Sequence, residues 1–111
     1  MISTHVLDTS IGRPAAGVRV VLARQDSGTW REIATATTDA NGRIAAFPAN
    51  EPAPSTGSYR LAFDVGSYFG GRQVDSFFTI VTVEFIVRDS AFHHHIPLLV
   101  SPYGYSTYRG S

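Results

Sequence analysis

Four histidines, an arginine set directly after a tight turn, and an aromatic carboxyl terminus are the parts of this chain whose chemistry stands out. His5 lies in an amino-terminal β-prone run, and His93, His94 and His95 are consecutive near the other end. An imidazole, with an unperturbed pKa of about 6.5, can serve as a general base near neutral pH without large tuning. Strand alternation puts His93, His95 and Pro97 on one face and His94, Ile96 and Leu98 on the other. Arg43 follows Asp39-Ala40-Asn41-Gly42, where Asn and Gly tolerate positive φ. Its guanidinium offers planar, forked donors suited to ring carbonyls or an oxyanion. The last nineteen residues, HHHIPLLVSPYGYSTYRGS, are too aromatic to read as an idle tail, although chain ends are where disorder collects.

Each of these groups has a plainer reading. A histidine alone on a strand is more often a surface or satisfied residue, and an arginine taken singly is more often solvated. His93 and His95 share a face that His5 could join as metal ligands, but no cysteine or carboxylate completes an obvious set. The expectation is therefore no metal and no cofactor. His94, facing the other way, reads as structural, and Trp30 as a sheet-packing aromatic.

The elements that must carry these groups are short strands. The chain has 111 residues, enough for one ordinary domain spanning 1–111 with a core that needs no staples. It has no cysteine, so neither a disulfide framework nor a thiolate zinc site is available. Nine basic and nine acidic residues balance, which removes the electrostatic case for a nucleic-acid or membrane-surface partner and makes self-association easier. The amino terminus has neither the basic nor the apolar region of a leader, and nothing approaches a membrane-spanning length. The expected location is the cytoplasm.

From Ile2 the chain reads as a strand to Leu7, a turn over Asp8 to Pro14, then a half-buried strand through Val18, Val20 and Leu22. Asp26-Ser27-Gly28 turns it into Trp30 to Thr38, with Ile33, Thr35 and Thr37 on one face, forming a hairpin. A brief strand is expected over Ile44 to Phe47 and an exposed loop over 48–57. Tyr59, Leu61 and Phe63 alternate in a strand with one wet face. Val65 to Gln73 suits a helical turn or two, with Tyr68 and Phe69 inward and three glycines keeping it short. Phe77 to Val87 is so rich in β-branched residues that it reads as a strand covered on both faces. Asp89-Ser90 turns into the histidine strand, and after the break at Pro102 and Gly104 a last short strand runs over Tyr105 to Arg109. About eight strands, turns at roughly ten-residue spacing and one short helix predict an all-β antiparallel sandwich.

Several motifs then fall into register with one family. Ser101-Pro102-Tyr103-Gly104-Tyr105-Ser106-Thr107 resembles the carboxyl-terminal signature of the transthyretin family. Tyr108-Arg109-Gly110-Ser111 resembles the ending of its 5-hydroxyisourate hydrolase branch, an ending that transthyretin lacks. His5-Val6-Leu7-Asp8 with Gly12-Arg13-Pro14-Ala15 and Val18 is similar to the amino-terminal signature, with His where transthyretin has Lys. Thr38 to Arg43 is similar to the family's turn-then-arginine element, and Tyr59-Arg60-Leu61, Phe63-Asp64 and Tyr68-Phe69 to its middle strand and helix. His94, Val100 and Thr79 depart from the usual Tyr, Leu and Pro, all at positions the family does not use for chemistry.

The resemblance implies a transthyretin-like sandwich assembled as a homotetramer, a dimer of dimers with sites along a central channel. It implies hydrolysis of 5-hydroxyisourate to 2-oxo-4-hydroxy-4-carboxy-5-ureidoimidazoline in urate catabolism. His5, Arg43 and His95 would be catalytic, with the two histidines holding and deprotonating a water and Arg43 answering the oxyanion. Tyr108, Arg109, Gly110 and Ser111 would bind substrate, and Ser111 is not needed as a covalent nucleophile. The competing expectations are a transthyretin-type carrier of a small aromatic ligand, against which His5 and the Tyr108 to Ser111 ending argue, and a β-sandwich interaction module in which neither His5 nor His95 matters.

Overall fold

A computed structural model of the chain describes residues 1–47 and 55–111. Its strands form two sheets, five-stranded and four-stranded among the described residues. The first sheet is built on β1 (Ile2–Asp8), flanked by β8 (His94–Ser101) and then β9 (Gly104–Thr107) on one side. On its other side β1 pairs with two short strands, β2 (Arg13–Pro14) and β5 (Arg43–Ile44). The second sheet runs in the order β4 (Thr29–Thr37), β3 (Arg19–Asp26), β6 (Gly57–Asp64) and β7 (Ile80–Val87).

Alternation decides which residues meet between the sheets. Val6, Leu98 and Val100 from the first sheet and Val20, Leu61, Phe63 and Val81 from the second are almost wholly buried in one cluster. Burying aliphatic and aromatic side chains of this size is worth roughly 1.5–3 kcal/mol each, so this cluster holds the sheets face to face. The helix α1 (Val65–Gly71) is capped by Asp64, whose Oδ1 accepts from Ser67 N at 3.1 Å. Tyr68 and Phe69 are buried, as expected. Burial and the Asp8 carboxylate, which accepts from the Tyr68 hydroxyl at 2.8 Å, push that phenol up to about 12. The bond ties the helix to the end of β1.

The sandwich departs from the sequence expectations in particular places. The pairing of β1 with β8 is parallel, whereas the other strand pairs are antiparallel. Alternation is the same in either direction, so it carries no sign of this. The strand expected from Phe77, covered on both faces, begins at Ile80 and is an edge. Val81 and Val87 are buried while Ile80, Thr82, Glu84 and Ile86 stand exposed. The strand expected over Ile44 to Phe47 shrinks to Arg43–Ile44, and Arg13–Pro14 pairs inside the expected turn. On β4, Leu22 pairs with Ala34 but Ala23 with Glu32, so Ile33 is a bulged residue. The bulge shifts the phase: Ala34 and Ala36 join the core side, and Thr35 and Thr37 are exposed. Trp30 packs on the outside of its sheet, with the Arg60 guanidinium 4.0 Å over its ring. The loop expected over 48–57 lies mostly outside the described residues. Among those described, no helix is long and apolar enough to cross a membrane.

Candidate active site

His5, Arg43 and His95 are brought to one region of the first sheet by strand pairing. His5 stands opposite Arg43 in the β1–β5 pair and opposite Pro97 in the β1–β8 pair. Two residues earlier on the same face of β1, Ser3 stands opposite His95. Strand spacing then separates the His5 and His95 rungs by about 7 Å along the sheet and about 5 Å across it. The core faces the other way: Thr4 and Val6 are buried, and the Thr4 hydroxyl donates to Ile96 O at 2.6 Å.

Arg43 is positioned by the turn before it. Asp39 Oδ1 accepts the backbone N–H of Asn41 at 2.8 Å and of Arg43 at 3.0 Å, and Asp39 N donates to Arg43 O at 3.0 Å. Gly42 has φ +74°, and its carbonyl accepts from Val6 N at 2.7 Å. A side chain at 42 would run into Val6 O, so only glycine lets the turn lie this close to β1. The Arg43 and Asn41 amides hold the Asp39 carboxyl below its ordinary value, with smaller help from the charges of Arg43 and His5.

The tail reaches the same place. β9 pairs Thr107 with Leu98, and the same register puts Gly110 opposite His95, with Gly110 N donating to His95 O at 2.8 Å. Tyr108 and Arg109 pass Ile96 and Pro97 between these points, where the ladder is interrupted because Pro97 has no N–H. The Thr107 hydroxyl donates instead to Pro97 O at 2.7 Å. A Cβ on Gly110 would stand 2.5 Å from His95 Cδ2, so the backbone lies directly against the imidazole. Tyr108 and Ser111 are exposed, as is Arg109.

His95 is half-buried, and partial desolvation, followed by the charges of His93, His5 and Arg43, lowers its pKa from 6.5. That shift favours the neutral ring, which is chemically able to accept a proton. His93 and His95 are held 6.4 Å apart, ring centre to ring centre, by a shared partner. Ser3 Oγ lies 2.6 Å from His93 Nε2 and 2.7 Å from His95 Nδ1. Sequence reasoning missed Ser3. Its only signal is a place two residues before His5, on the same face, and its proximity to His95 depends on a parallel pairing that no local pattern announces.

Among the described residues no three histidines or carboxylates converge as a metal would require. His94 is buried on the core face of β8, its Nδ1 without a hydrogen-bond partner. Val100 is buried beside β1, and Thr79 meets α1 through its carbonyl, which accepts from Gly66 N at 2.9 Å. A cleft of about 470 Å³ opens between β7 and the β8–tail edge. His95, Tyr108 and Arg109 line it, but His5 and Arg43 do not. The surface around His5 and Arg43 is a floor, with Arg43 exposed and His5 half-buried.

Comparison with known proteins adds to this geometry. The model of the HIUase/transthyretin family matches residues 2–110. A Salmonella typhimurium protein named 5-hydroxyisourate hydrolase is 46% identical over 112 residues, covering 100% of this chain and 81% of that protein. The structure of Klebsiella pneumoniae 5-hydroxyisourate hydrolase superposes with a TM-score of 0.86 at 42% identity, covering 99% of this chain and 98% of that one. Sea bream transthyretin in complex with thyroxine superposes with a TM-score of 0.90 at 30% identity, covering 98% and 93%.

Proposed function

The chain belongs to the HIUase/transthyretin family, and on that premise we propose that it hydrolyses 5-hydroxyisourate at a site made from His5, Arg43, His95 and the Tyr108 to Ser111 tail. It is a hydrolase and not a carrier, since its full-length relatives carry the hydrolase name. The observation that carries the site assignment is the register of the tail. Gly110 pairs with His95, so the ending that resembles the enzyme branch lies against a histidine whose surroundings favour its neutral form.

The chemistry follows from what each group can do. His95 takes a proton from water as the water oxygen attacks the cyclic amide carbonyl, and His5 holds that water from the neighbouring rung. Arg43 supplies forked donors to the oxygen on which negative charge develops. Tyr108 offers an aromatic face to the planar ring, Arg109 a carbonyl clamp, Gly110 close backbone access and Ser111 a hydroxyl. Together these position and polarise the substrate, so no covalent intermediate is required.

The reading includes a homotetramer working in the cytoplasm. Support for assembly comes from the free edges: β7 and β9 end their sheets, Ile86 on β7 is 52% exposed, and buried His94 Nδ1 beside the cleft lacks a partner. A closed symmetric assembly would cover such edges and place a second wall over the His5 and Arg43 floor.

The direct test follows the ultraviolet decay of 5-hydroxyisourate, freshly made from urate, with wild-type protein and with His95→Ala. Wild type should accelerate the decay, and the variant should lose roughly 10²–10⁴-fold of that rate. No acceleration by folded wild-type protein would sink the hydrolase.

A further inference from the structure

Ser3 has one hydroxyl proton and two ring nitrogens within hydrogen-bond distance, His95 Nδ1 and His93 Nε2. It can donate to only one of them, so the other must donate to it. With both rings neutral, two arrangements satisfy both contacts. In the first, His95 Nδ1–H donates to Ser3 Oγ and the Ser3 hydroxyl donates to His93 Nε2. His95 Nε2 then carries a free lone pair. In the second, His93 Nε2–H donates to Ser3 and Ser3 donates to His95 Nδ1. His95 Nε2 is then already protonated and cannot act as a base.

We infer that Ser3 is a positioning residue of the hydrolytic site, holding His95 with its proton on Nδ1 and linking it to His93 as a path for the proton released in each turnover. The inference rests on the reading of His95 as the base. Geometry supports a fixed ring: Ser3 is buried and stands opposite His95 in the β1–β8 register, while Gly110 abuts the Cδ2 edge. Flipping the imidazole would exchange Nδ1 with Cδ2 and lose the Ser3 contact. The edge left free carries Nε2. His93, by contrast, is exposed and can exchange protons with solvent. The charged or titratable groups around His95 are His93, His5 on β1, Arg43 on β5 and, on the tail, Arg109 next to Gly110.

The proton count closes. One water is consumed: its oxygen bonds to the ring carbonyl carbon, and one proton goes to His95 Nε2. As the carbon–nitrogen bond breaks, His95 returns that proton to the leaving ring nitrogen. The second water proton is left over when the product ionises as a carboxylate, and His95 Nε2 takes it up. The Nδ1 proton then passes to Ser3 Oγ while the Ser3 hydroxyl proton passes to His93 Nε2, and His93 releases a proton to solvent. Reorientation of the Ser3 hydroxyl and proton exchange at His95 restore the starting tautomer. No oxidant, reductant or co-reactant beyond water takes part.

The test is long-range proton–nitrogen correlation NMR on the full-length protein carrying nitrogen-15 histidine, in alkaline buffer, beside the ultraviolet assay. Wild type should show neutral His95 protonated on Nδ1. Ser3→Ala should move that proton to Nε2 and lower kcat roughly 10²-fold with little change in KM, and Ser3→Thr, which keeps the hydroxyl, should restore both. His93→Phe should slow kcat in dilute buffer and recover in concentrated imidazole. His95 protonated on Nε2 in wild type, or a tautomer unmoved by Ser3→Ala, overturns the positioning role. His93→Phe turnover indifferent to buffer overturns the proton path. A Ser3-dependent Nδ1 proton without turnover upholds the positioning and counts against the hydrolase reading alone.

Discussion

Arg43 is held by its own main chain. Its N–H and C=O are both engaged by Asp39, so the exposed guanidinium is free to meet a ligand without any part in folding. Arg43→Lys keeps the charge and the turn but removes the fork. Activity should fall roughly 10²-fold while the thermal unfolding curve stays unchanged, and near-normal turnover would take Arg43 out of the mechanism. His95 makes a separate, signed prediction. Because burial and neighbouring positive charge depress its pKa below 6.5, the acid limb of kcat/KM should have its midpoint below 6.5. A midpoint above 6.5 would contradict His95 as the base. The linked effect on stability has the same origin. Between the folded pKa and 6.5 the unfolded chain binds more protons at this residue, so the His95 contribution to stability falls as pH drops through that window. The residue types were legible in the sequence, as was the pairing of a turn with Arg43. Ser3 was not, because its partners lie 90 and 92 residues away.

At the scale of elements, the tail matters most. Pro97 opens the β8–β9 ladder where Tyr108 and Arg109 pass, and the pairing resumes at Gly110 in unbroken register. The tail is thus an interrupted strand, held at its far end by one backbone bond and close contact with His95. Gly110→Ala should push the ring or the tail aside and cost most of the activity in the urate-coupled assay, as should deletion of residues 108–111, with circular dichroism unchanged in both. Full activity in the deletion would remove the tail from the site. The sequence reading of Tyr105 to Arg109 as a strand was nearly right, since β9 stops at Thr107. The misreadings have local causes. The Ile33 bulge reverses a phase that alternation alone extrapolates, and the apolar run of β7 reflects one core face and one exposed face at a sheet edge, not burial on both.

On the scale of the whole molecule, the question is what covers those edges. The cleft between β7 and the tail, the exposed Ile80, Ile86 and Tyr108, and the open floor at His5 and Arg43 all suit further copies of the chain. Four chains of 12.0 kDa should give a light-scattering mass of about 48 kDa. A monomer active in the hydrolase assay would show that one chain carries a complete site.

The sequence by itself determined what short-range chemistry can encode. The two-residue period chose strands, Asn41-Gly42 chose a turn, the glycines of α1 kept the helix short, and the signatures at both ends identified the family. These properties are written in neighbouring residues, so no tertiary information is needed to read them. Tertiary structure alone decided that β1 and β8 run parallel, that Ser3 therefore meets His93 and His95, and that Gly110 lies on the His95 ring. Strand direction and partner leave no periodic trace, because alternation is the same whichever strand lies alongside and whichever way it runs.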